Sequence, residues 1–341
     1  MSYKKVILNE FGGPEVLQVV EEATLPAPGA SEVRVKVLAA SATFTDTMVR
    51  KGIYYGFKET PPLSPGYDMV GVVDKLGAGV TDLEVGQMVA DLTVWGAYTE
   101  YMIRPEDSLV PVPSGLEPVE AVSMVLSYVT AYQMLHRIAK VQRGQKILVH
   151  GAGGAVGTAM LELGKLLDLE IYGTASKSKH ELVKSLGATP IDYRNEDFLA
   201  RIQATGGVDA AFDAIGGENF KRSFNSLKKG GTLVAYGFYD QAMGRGGNVA
   251  MDYMSIALWN ILPNGRKAVF YSIGALRKKN PEWFKEDLTA LFGLLTEGKI
   301  KPSIERRMKL EDAAQAHALI EQAAVKGRIV LVINEKLLLK I

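Results

Sequence analysis

The stretch H-G-A-G-G-A-V-G, from His150 to Gly157, has the residue types and the spacing that can hold a pyrophosphate. Its glycines permit a tight turn and let backbone N–H groups approach the phosphates, and a helix that starts there adds the positive end of its dipole. In register, Ala152, Gly154 and Gly157 follow a variant of the G-x-G-x-x-G fingerprint. The stretch follows the short apolar run Lys146–His150 and opens a segment of helical character, which is the context that the fingerprint requires. The sequence therefore predicts a dinucleotide site at this turn.

The next strand-like run, Leu169–Gly173, lacks at its end the acidic residue that in NAD sites holds the ribose hydroxyls, about 20 residues after the fingerprint. The chain continues as T-A-S-K-S-K from Thr174 to Lys179, which supplies hydroxyls and two lysines. These groups suit the dianionic 2′-phosphate of NADPH, because charged donors form the stronger hydrogen bonds to phosphate. We therefore expect NADPH rather than NADH.

Three kinds of pattern along the chain indicate the elements that must position this turn. The first third has short alternating runs such as Glu32–Val37, separated by Gly and Pro, which are typical of strands. The middle third alternates apolar strands with helical segments, which indicates βαβ units and a parallel sheet. The last third is more helical and closes with the apolar run Arg328–Ile333.

These patterns predict an α/β fold in which a Rossmann doubly wound parallel sheet is inserted in a β-rich catalytic domain. We expect residues 1–123 and 271–341 to form the two parts of the catalytic domain, and residues 124–270 to form the Rossmann domain.

The composition argues against several classes of function. The 341 residues carry a formal net charge of +1, which does not favour a nucleic-acid partner or an anionic membrane surface. No cysteine is present, so disulfides, catalytic thiols and cysteine-based zinc or iron–sulfur sites are excluded. The first apolar run is too short for a signal peptide, and no apolar stretch reaches the ~18 residues of a membrane span. We expect a cytoplasmic enzyme.

Motifs along nearly the whole chain carry a resemblance to a known family. They are G-G-P-E-V-L at Gly12–Leu17, D-T-M-V-R-K-G-I-Y at Asp46–Tyr54, the glycine turn, G-T-A-S-K-S-K-H-E at Gly173–Glu181, Asp213 with Gly216-Gly217, and Tyr236-Gly237. With them the sequence resembles the zinc-free quinone oxidoreductase branch of the medium-chain dehydrogenase/reductase superfamily, and within it the group of synaptic vesicle membrane protein VAT-1 homologues. The resemblance implies a GroES-like catalytic domain and NADPH-dependent hydride transfer to a quinone or an α,β-unsaturated carbonyl acceptor.

The resemblance also implies roles for single residues. Those at the cofactor are Gly154 and Gly157 for the pyrophosphate, Val156 in the same turn, Ser176, Lys179 and Tyr193 for the 2′-phosphate, Thr130 beside the nicotinamide, Gly216, Gly237 and Phe238 along the cofactor, and Arg328 where many relatives have a lysine. Tyr54 lies in the loop that bounds the substrate pocket of relatives. It is the candidate catalytic hydrogen-bond donor, and the alternative is that it only shapes the pocket wall.

The sequence departs from the family pattern where zinc-dependent members bind their metal. Those members have Cys, His and Cys at the positions of Thr43, Tyr67 and Ser127. A hydroxyl is a poor zinc ligand compared with thiolate or imidazole, so we expect no metal site. Relatives commonly have Asn in place of Thr43, so the role of that residue stays open.

Three functions remain open at this stage. The first is an NADPH-dependent quinone or enone reductase, the second an enoyl-thioester reductase on the same fold, and the third a non-catalytic NADPH-binding sensor or adaptor. In relatives the last Rossmann strand pairs across a dimer, so the resemblance implies a homodimer formed through Lys267–Tyr271.

Overall fold

The computed structural model describes residues 1–334. By its internal contacts the chain divides into two compact units. The first unit comprises Met1–Val129 and the segment that begins at Lys285, and the second unit comprises Thr130–Phe284. The second unit is therefore inserted in the first, as the sequence predicts.

The end of the second unit lies later in the chain than the predicted boundary at residue 270. Arg137 and Arg277 each place a guanidinium 4.5 Å from a ring centroid, over Trp283 and Phe284 respectively. These contacts hold the segment before residue 285 within the second unit. The domain boundaries predicted after residues 123 and 270 stay a proposal.

The strands of the described residues are, in chain order, β1 (Tyr3–Leu8), β2 (Leu17–Glu22), β3 (Glu32–Ala42), β4 (Met69–Leu76), β5 (Met88–Asp91), β6 (Tyr101–Pro105), β7 (Val110–Pro111), β8 (Lys146–His150), β9 (Glu170–Ala175), β10 (Thr189–Asp192), β11 (Val208–Asp213), β12 (Leu227–Ala235), β13 (Lys267–Phe270), β14 (Ile304–Lys309) and β15 (Arg328–Val332).

The α-helices are α1 (Phe44–Arg50), α2 (Pro118–Ser123), α3 (Val129–Tyr132), α4 (Ala155–Leu166), α5 (His180–Ser185), α6 (Phe198–Ala204), α7 (Glu218–Asn225), α8 (Tyr239–Ala242), α9 (Val249–Ile261), α10 (Ile273–Lys279), α11 (Pro281–Thr296) and α12 (Ala313–Glu321). Two π-helical segments, Met124–Tyr128 and Gln133–Ile138, flank α3. Short 3₁₀ turns occur at Pro14–Val16, Glu106–Ser108, Lys177–Lys179 and Leu310–Asp312.

The first unit is built on a seven-stranded sheet around the long strand β3. The strand order is β14-β15-β3-β4-β5-β7, with β6 also paired to β3, and β1 and β2 form a separate antiparallel pair. Along β3 the side chains of Val33, Val35 and Val37 are fully buried, whereas the residues between them are not. The alternation predicted for Glu32–Val37 is therefore confirmed, and it directs one face of the strand into the core.

The second unit is built on a six-stranded parallel sheet. Its order is β10-β9-β8-β11-β12-β13, and each neighbouring pair is parallel. Numbered from β8, this is the 3-2-1-4-5-6 order of a dinucleotide-binding fold, in which the order reverses between β8 and β11. Ligands of such sheets bind at the carboxyl ends of the strands beside that reversal. The α/β fold class, with a Rossmann sheet inserted in a separate β-rich unit, is confirmed.

Across residues 1–334 no helix combines the length and the apolar character that a bilayer crossing requires. The predicted cytoplasmic location stays a prediction.

Candidate functional site

The glycine turn joins β8 to α4 in the second unit. Gly151 has a φ of +66°, a left-handed conformation that glycine adopts without strain. Its carbonyl oxygen accepts a hydrogen bond from the Gly154 N–H at 2.9 Å, and the Ala152 N–H donates to the Thr174 carbonyl on β9 at 3.0 Å. Gly154 caps α4 and brings no side chain to the helix N-terminus. The turn presents bare backbone at the positive end of the helix dipole, which fits the phosphates of a dinucleotide.

Gly157 allows the first turn of α4 to pack directly on this loop. A Cβ at position 157 would lie 2.7 Å from the Ala152 Cα and would overlap the Gly151 carbonyl oxygen. On β9, a Cβ at Gly173 would lie 2.6 Å from the Ala152 Cβ. Val156, in the same turn of the helix, is half-buried. Two glycines therefore permit the close approach of helix, turn and neighbouring strand.

His150 is buried beneath the turn and links four elements of the second unit. Its Nδ1 lies 3.0 Å from the Thr174 Oγ1, and its Nε2 lies 2.9 Å from the Ser223 Oγ on α7. The Ser223 hydroxyl donates to the Asp213 carboxylate on β11 at 2.6 Å. Because that hydroxyl has only one hydrogen, His150 donates from Nε2 and accepts at Nδ1. Burial lowers the pKa of His150, which keeps the ring neutral in this arrangement.

Ser176, Lys179 and Tyr193 lie where β9 and β10 end. Because Ala175 and Asp192 are paired in register, Ser176 and Tyr193 leave adjacent parallel strands at the same edge. The Ser176 Oγ lies 3.1 Å from the Ser178 Oγ, and Tyr193 is 51% exposed.

The Lys179 stem lies against the glycine turn, since a Cβ at Gly153 would lie 2.7 Å from the Lys179 Cδ. The fold thus brings Lys179 to the turn that is predicted to hold the pyrophosphate.

Three other predicted cofactor residues of the second unit are two glycines, which have no side chain, and a phenylalanine, whose side chain is buried. Gly216 follows β11 with a φ of +91°, and a Cβ at Gly237 would lie 3.0 Å from the Ala214 carbonyl oxygen. The Phe238 ring is buried and stacks on Phe270 at 4.9 Å. Any contact that Phe238 makes with a cofactor is therefore confined to its backbone.

Thr130 is buried on α3, between the two π-helical segments. Such segments widen a helix locally and are frequent at functional sites.

Tyr54 lies in the first unit, in the loop after α1. Its hydroxyl is 2.7 Å from the Tyr67 hydroxyl, and its ring meets those of Tyr67 and Phe57 at 5.9 and 6.3 Å. Burial raises the pKa of Tyr54, and the Tyr67 hydroxyl acts in the opposite direction. Tyr54 therefore stays a neutral phenol near pH 7 and can donate a hydrogen bond.

Two buried acids, Asp46 and Asp68, lie near this loop in the first unit. Asp46 accepts from the Thr43 hydroxyl at 2.6 Å and from the Gly66 N–H at 3.1 Å, and burial raises its pKa to about 6. The Asp68 carboxylate accepts from the Ser41 N–H at 2.8 Å through Oδ1, whereas Oδ2 has no hydrogen-bond partner among the described residues. Burial, assisted by the nearby Asp46, raises the pKa of Asp68 to about 7.

Arg328, a predicted cofactor contact, is buried in the first unit at the start of β15. It donates from Nη1 to the Ser123 carbonyl at 2.7 Å, and its guanidinium lies 5.0 Å from the centroid of the Tyr128 ring. Its charge acts to lower the pKa of Asp68, against the larger effect of burial. These contacts support a role in the interior of the first unit, and a cofactor contact stays a proposal.

The three positions that hold zinc in other members of the superfamily carry hydroxyls that serve other purposes. Thr43 caps α1 in a reciprocal capping box with Asp46, Tyr67 contacts Tyr54, and Ser127 is buried in a π-helical segment. Within residues 1–334 no group of three His, Cys, Asp or Glu side chains is arranged to hold a metal ion.

Two features of the site were missed by the sequence reasoning. Tyr67 entered it only as a departure from a zinc ligand, and Asp68 did not enter it. The one local signal for these two residues is the sequence P-G-Y-D directly before the apolar run of β4. It places an acidic residue immediately before the first residue of a buried strand. Their partners, Tyr54 and Ser41, come from other parts of the chain, which no local pattern shows.

We expect Gly157→Ala to lower the free energy of unfolding by about 1–3 kcal/mol, because the added methyl group overlaps backbone of the turn. Gly293→Ala is the matched control. It lies on α11, where a Cβ meets no heavy atom within 4 Å, and it should stabilise the helix by up to about 1 kcal/mol. Urea titration of both variants measures the difference. Equal effects of the two substitutions would show that the close approach at Gly157 carries no cost.

We expect Asp68→Asn to raise the free energy of unfolding more at pH 8 than at pH 5. The folded pKa of Asp68 is about 7, above the ordinary value, so the ionised carboxylate destabilises the fold above pH 7. As the pH falls below 7, Asp68 of the folded wild type takes up a proton, whereas the same carboxyl group of the unfolded chain is protonated only near pH 4. The destabilisation by the ionised carboxylate therefore decreases as the pH falls. The advantage of the variant should be about 2–4 kcal/mol at pH 8 and should shrink steadily toward pH 5. A difference that does not change with pH contradicts this account.

The comparisons with known proteins agree with this geometry. Residues 186–331 match the family model described as zinc-binding dehydrogenase, and residues 29–114 match the alcohol dehydrogenase GroES-like domain. The chain is 32% identical to the synaptic vesicle membrane protein VAT-1 homolog of Rattus norvegicus, across 96% of this chain and 83% of that protein. It is 28% identical to the quinone oxidoreductase of Rattus norvegicus, across 95% and 96% of the two chains.

Solved structures show the same relationship. The Escherichia coli quinone oxidoreductase complexed with NADPH matches with a TM-score of 0.85 and 26% identity, across 96% of this chain and 99% of that one. The human VAT-1 homolog-like protein matches with a TM-score of 0.83 and 28% identity, across 98% and 99%. The chain belongs to the zinc-free quinone oxidoreductase branch of the medium-chain dehydrogenase/reductase oxidoreductases, with the VAT-1 homologues among its relatives.

Proposed function

We propose that this protein binds NADPH on its second unit and transfers the hydride to a quinone or an α,β-unsaturated carbonyl compound without a metal. The observation that carries the proposal is the bare glycine cap of α4, with Ser176 and Lys179 at the adjacent strand end. A helix N-terminus without a side-chain cap suits the pyrophosphate, and a hydroxyl with a lysine at that strand end suits a 2′-phosphate. The E. coli relative, which is named as an NADPH complex, supports the choice of cofactor.

Different residues of this chain bind different parts of the cofactor. Gly154, Val156 and Gly157 bind the pyrophosphate, and Ser176, Lys179 and Tyr193 bind the 2′-phosphate. Thr130 borders the nicotinamide, while the backbone of Gly216, Gly237 and Phe238 borders the rest of the cofactor. When bound, NADPH supplies the hydride.

Tyr54 acts on the acceptor rather than on the cofactor. Hydride transfer leaves negative charge on the carbonyl oxygen of the acceptor, and a hydrogen-bond donor at that oxygen stabilises the charge. A neutral, half-buried phenol is suited to this task, and its hydroxyl hydrogen can then move to the oxygen. No Lewis acid is needed, and the hydroxyls of Thr43, Tyr67 and Ser127 are not the ligands that zinc prefers.

The experiment that tests this function is steady-state oxidation of NADPH and NADH with one quinone, one linear enone and one enoyl thioester. We expect turnover of the quinone or the enone with a strong preference for NADPH. Lys179→Ala should raise the KM for NADPH about tenfold or more and leave that for NADH unchanged, because a charged hydrogen bond to the 2′-phosphate is lost. Lys184→Ala, which removes an exposed lysine paired with Glu181 on α5, is the matched control and should change neither value.

Each other outcome points elsewhere. Turnover of the enoyl thioester alone would identify the protein as an enoyl-thioester reductase. Tight NADPH binding without any turnover favours a non-catalytic sensor or adaptor. A protein that does not bind NADPH contradicts the proposal.

The edge strand predicted to pair across a dimer is partly covered in this chain. β13 is the last strand of its sheet, but the Ala268 N–H donates to the Asn260 Oδ1 at 2.9 Å and the Ala268 carbonyl accepts from the Asn260 Nδ2 at 2.6 Å. Asn260 comes from α9, so strand pairing at this point has to displace its amide. This contact weakens the case for a continuous sheet across two copies.

We propose that the homodimer forms instead through the adjoining face of α9. This face carries large exposed apolar side chains, namely Met251, Met254, Leu258 and Ile261. The one charged residue of α9, Asp252, is buried. An uncharged apolar stripe favours a copy of itself over a charged membrane surface or a nucleic acid.

Light scattering after size exclusion tests the dimer. The wild type should give twice the chain mass of 37.0 kDa, and Met254→Glu with Leu258→Glu should give a single chain mass. Val85→Glu, at a position in the first unit that is 64% exposed, is the control and should keep the wild-type mass. A monomeric wild type, or a double variant of unchanged mass, contradicts the proposed contact.

A further inference from the structure

Tyr67 is held firmly in the interior of the first unit. Its carbonyl accepts from the Val94 N–H at 3.0 Å, and the preceding residue, Gly66, donates its N–H to the Asp46 carboxylate at 3.1 Å. Gly66 has a φ of +108°, and a Cβ there would lie 2.7 Å from the backbone nitrogen of Tyr98. The Tyr67 side chain is 1% exposed. Its hydroxyl therefore occupies a fixed position.

Tyr54 meets that hydroxyl from a less constrained loop. Its ring packs on the small apolar cluster of Leu8, Val49 and Leu63, and it is only half-buried. The two hydroxyl oxygens are 2.7 Å apart, the usual length of an O–H···O hydrogen bond. Among the contacts described for the Tyr54 hydroxyl, this bond is the one that can set the direction of its hydrogen.

The direction of the bond decides what Tyr54 can do. A phenol has a single hydrogen, so Tyr54 can donate to a substrate only when Tyr67 is the donor within the pair. A hydroxyl that accepts a hydrogen bond also becomes a stronger donor, because the two bonds polarise each other.

We propose that Tyr67 is a positioning residue, which donates to Tyr54 and so directs the Tyr54 hydrogen toward the carbonyl oxygen of the acceptor. The inference rests on the proposed reductase function and deepens it, since it names the group that prepares the proton donor.

The chemical step balances with water as the final proton source. The hydride brings two electrons to the acceptor and leaves an enolate or a hydroquinone anion. The O–H bond of Tyr54 breaks as an O–H bond forms on that anion, and the Tyr67 hydroxyl donates to the resulting phenolate. The phenolate then takes a proton from solvent, and one NADPH and one proton are consumed for each acceptor reduced.

The test compares Tyr67→Phe, Tyr54→Phe and the double variant in single-turnover reduction of the quinone and the enone across pH 7 to 12, because the pKa of Tyr54 lies above the ordinary tyrosine value of about 10. Tyr67→Phe should slow the reaction about tenfold, the effect of one lost hydrogen bond, and should leave NADPH affinity unchanged. It should also move the basic limb of the rate profile to higher pH, because Tyr54 loses the bond that lowers its pKa. Tyr54→Phe should abolish that limb, and adding Tyr67→Phe to it should have little further effect.

A readout that needs no acceptor accompanies the kinetics. In protein labelled with 3-fluorotyrosine, the fluorine resonance that Tyr54→Phe removes is that of Tyr54. Its titration should move to higher pH in Tyr67→Phe and stay unchanged in Tyr55→Phe, the substitution of a neighbouring tyrosine that is 67% exposed.

The outcomes distinguish failure of the proposed reductase function from failure of the positioning role of Tyr67. If the wild type reduces no acceptor, the proposed function fails, and the fluorine titration still decides whether Tyr67 controls the Tyr54 hydroxyl. An unchanged titration, or an unchanged rate and basic limb in Tyr67→Phe when the wild type is active, overturns the inference.

Discussion

The close packing of α4 against the glycine turn is the constraint on which the rest of the second unit depends. Position 157 has no room for a Cβ, because the Gly151 carbonyl and the Ala152 backbone already fill that space. This packing sets the N-terminus of the helix at the carboxyl end of β8, beside the point where the strand order reverses. A bulkier residue there would move the helix end, and with it the bare backbone that suits phosphate.

Buried polar bonds fix the surroundings of that turn. His150 joins β8 to β9 through Thr174 and to α7 through Ser223, which in turn bonds Asp213 on β11. The neutral ring satisfies both neighbours without placing a charge in the interior. In the first unit, Asp46 and Asp68 are buried carboxyl groups with raised pKa values, so their charge costs stability near neutral pH.

Local patterns in the sequence predict the main strands and sheets of the two units and the position of the glycine turn. Alternation identifies the buried face of β3, and the alternating strands and helices identify the parallel sheet, because these signals depend only on which side of an element is buried. The glycine spacing identifies the turn because the steric demand at Gly157 belongs to one short stretch of chain.

Features that depend on contacts between residues far apart in the chain cannot be predicted from local sequence patterns. The Phe238 side chain lies in the core because Phe270 stacks on it, and Tyr67 matters because Tyr54 reaches its hydroxyl. The covered edge of β13 likewise depends on a side chain of α9, Asn260. The family resemblance supplies candidate residues, and only the packed structure shows which atoms of each residue are free to act.

Calorimetric titration of the wild-type protein with NADPH and with NADH tests the central claim most directly, because it reports binding at the turn without reference to any acceptor. The account predicts one NADPH bound per chain, with a Kd at least about tenfold below that for NADH, since only NADPH carries the 2′-phosphate that Ser176 and Lys179 would meet. Absence of binding, or equal affinity for the two nucleotides, would contradict it.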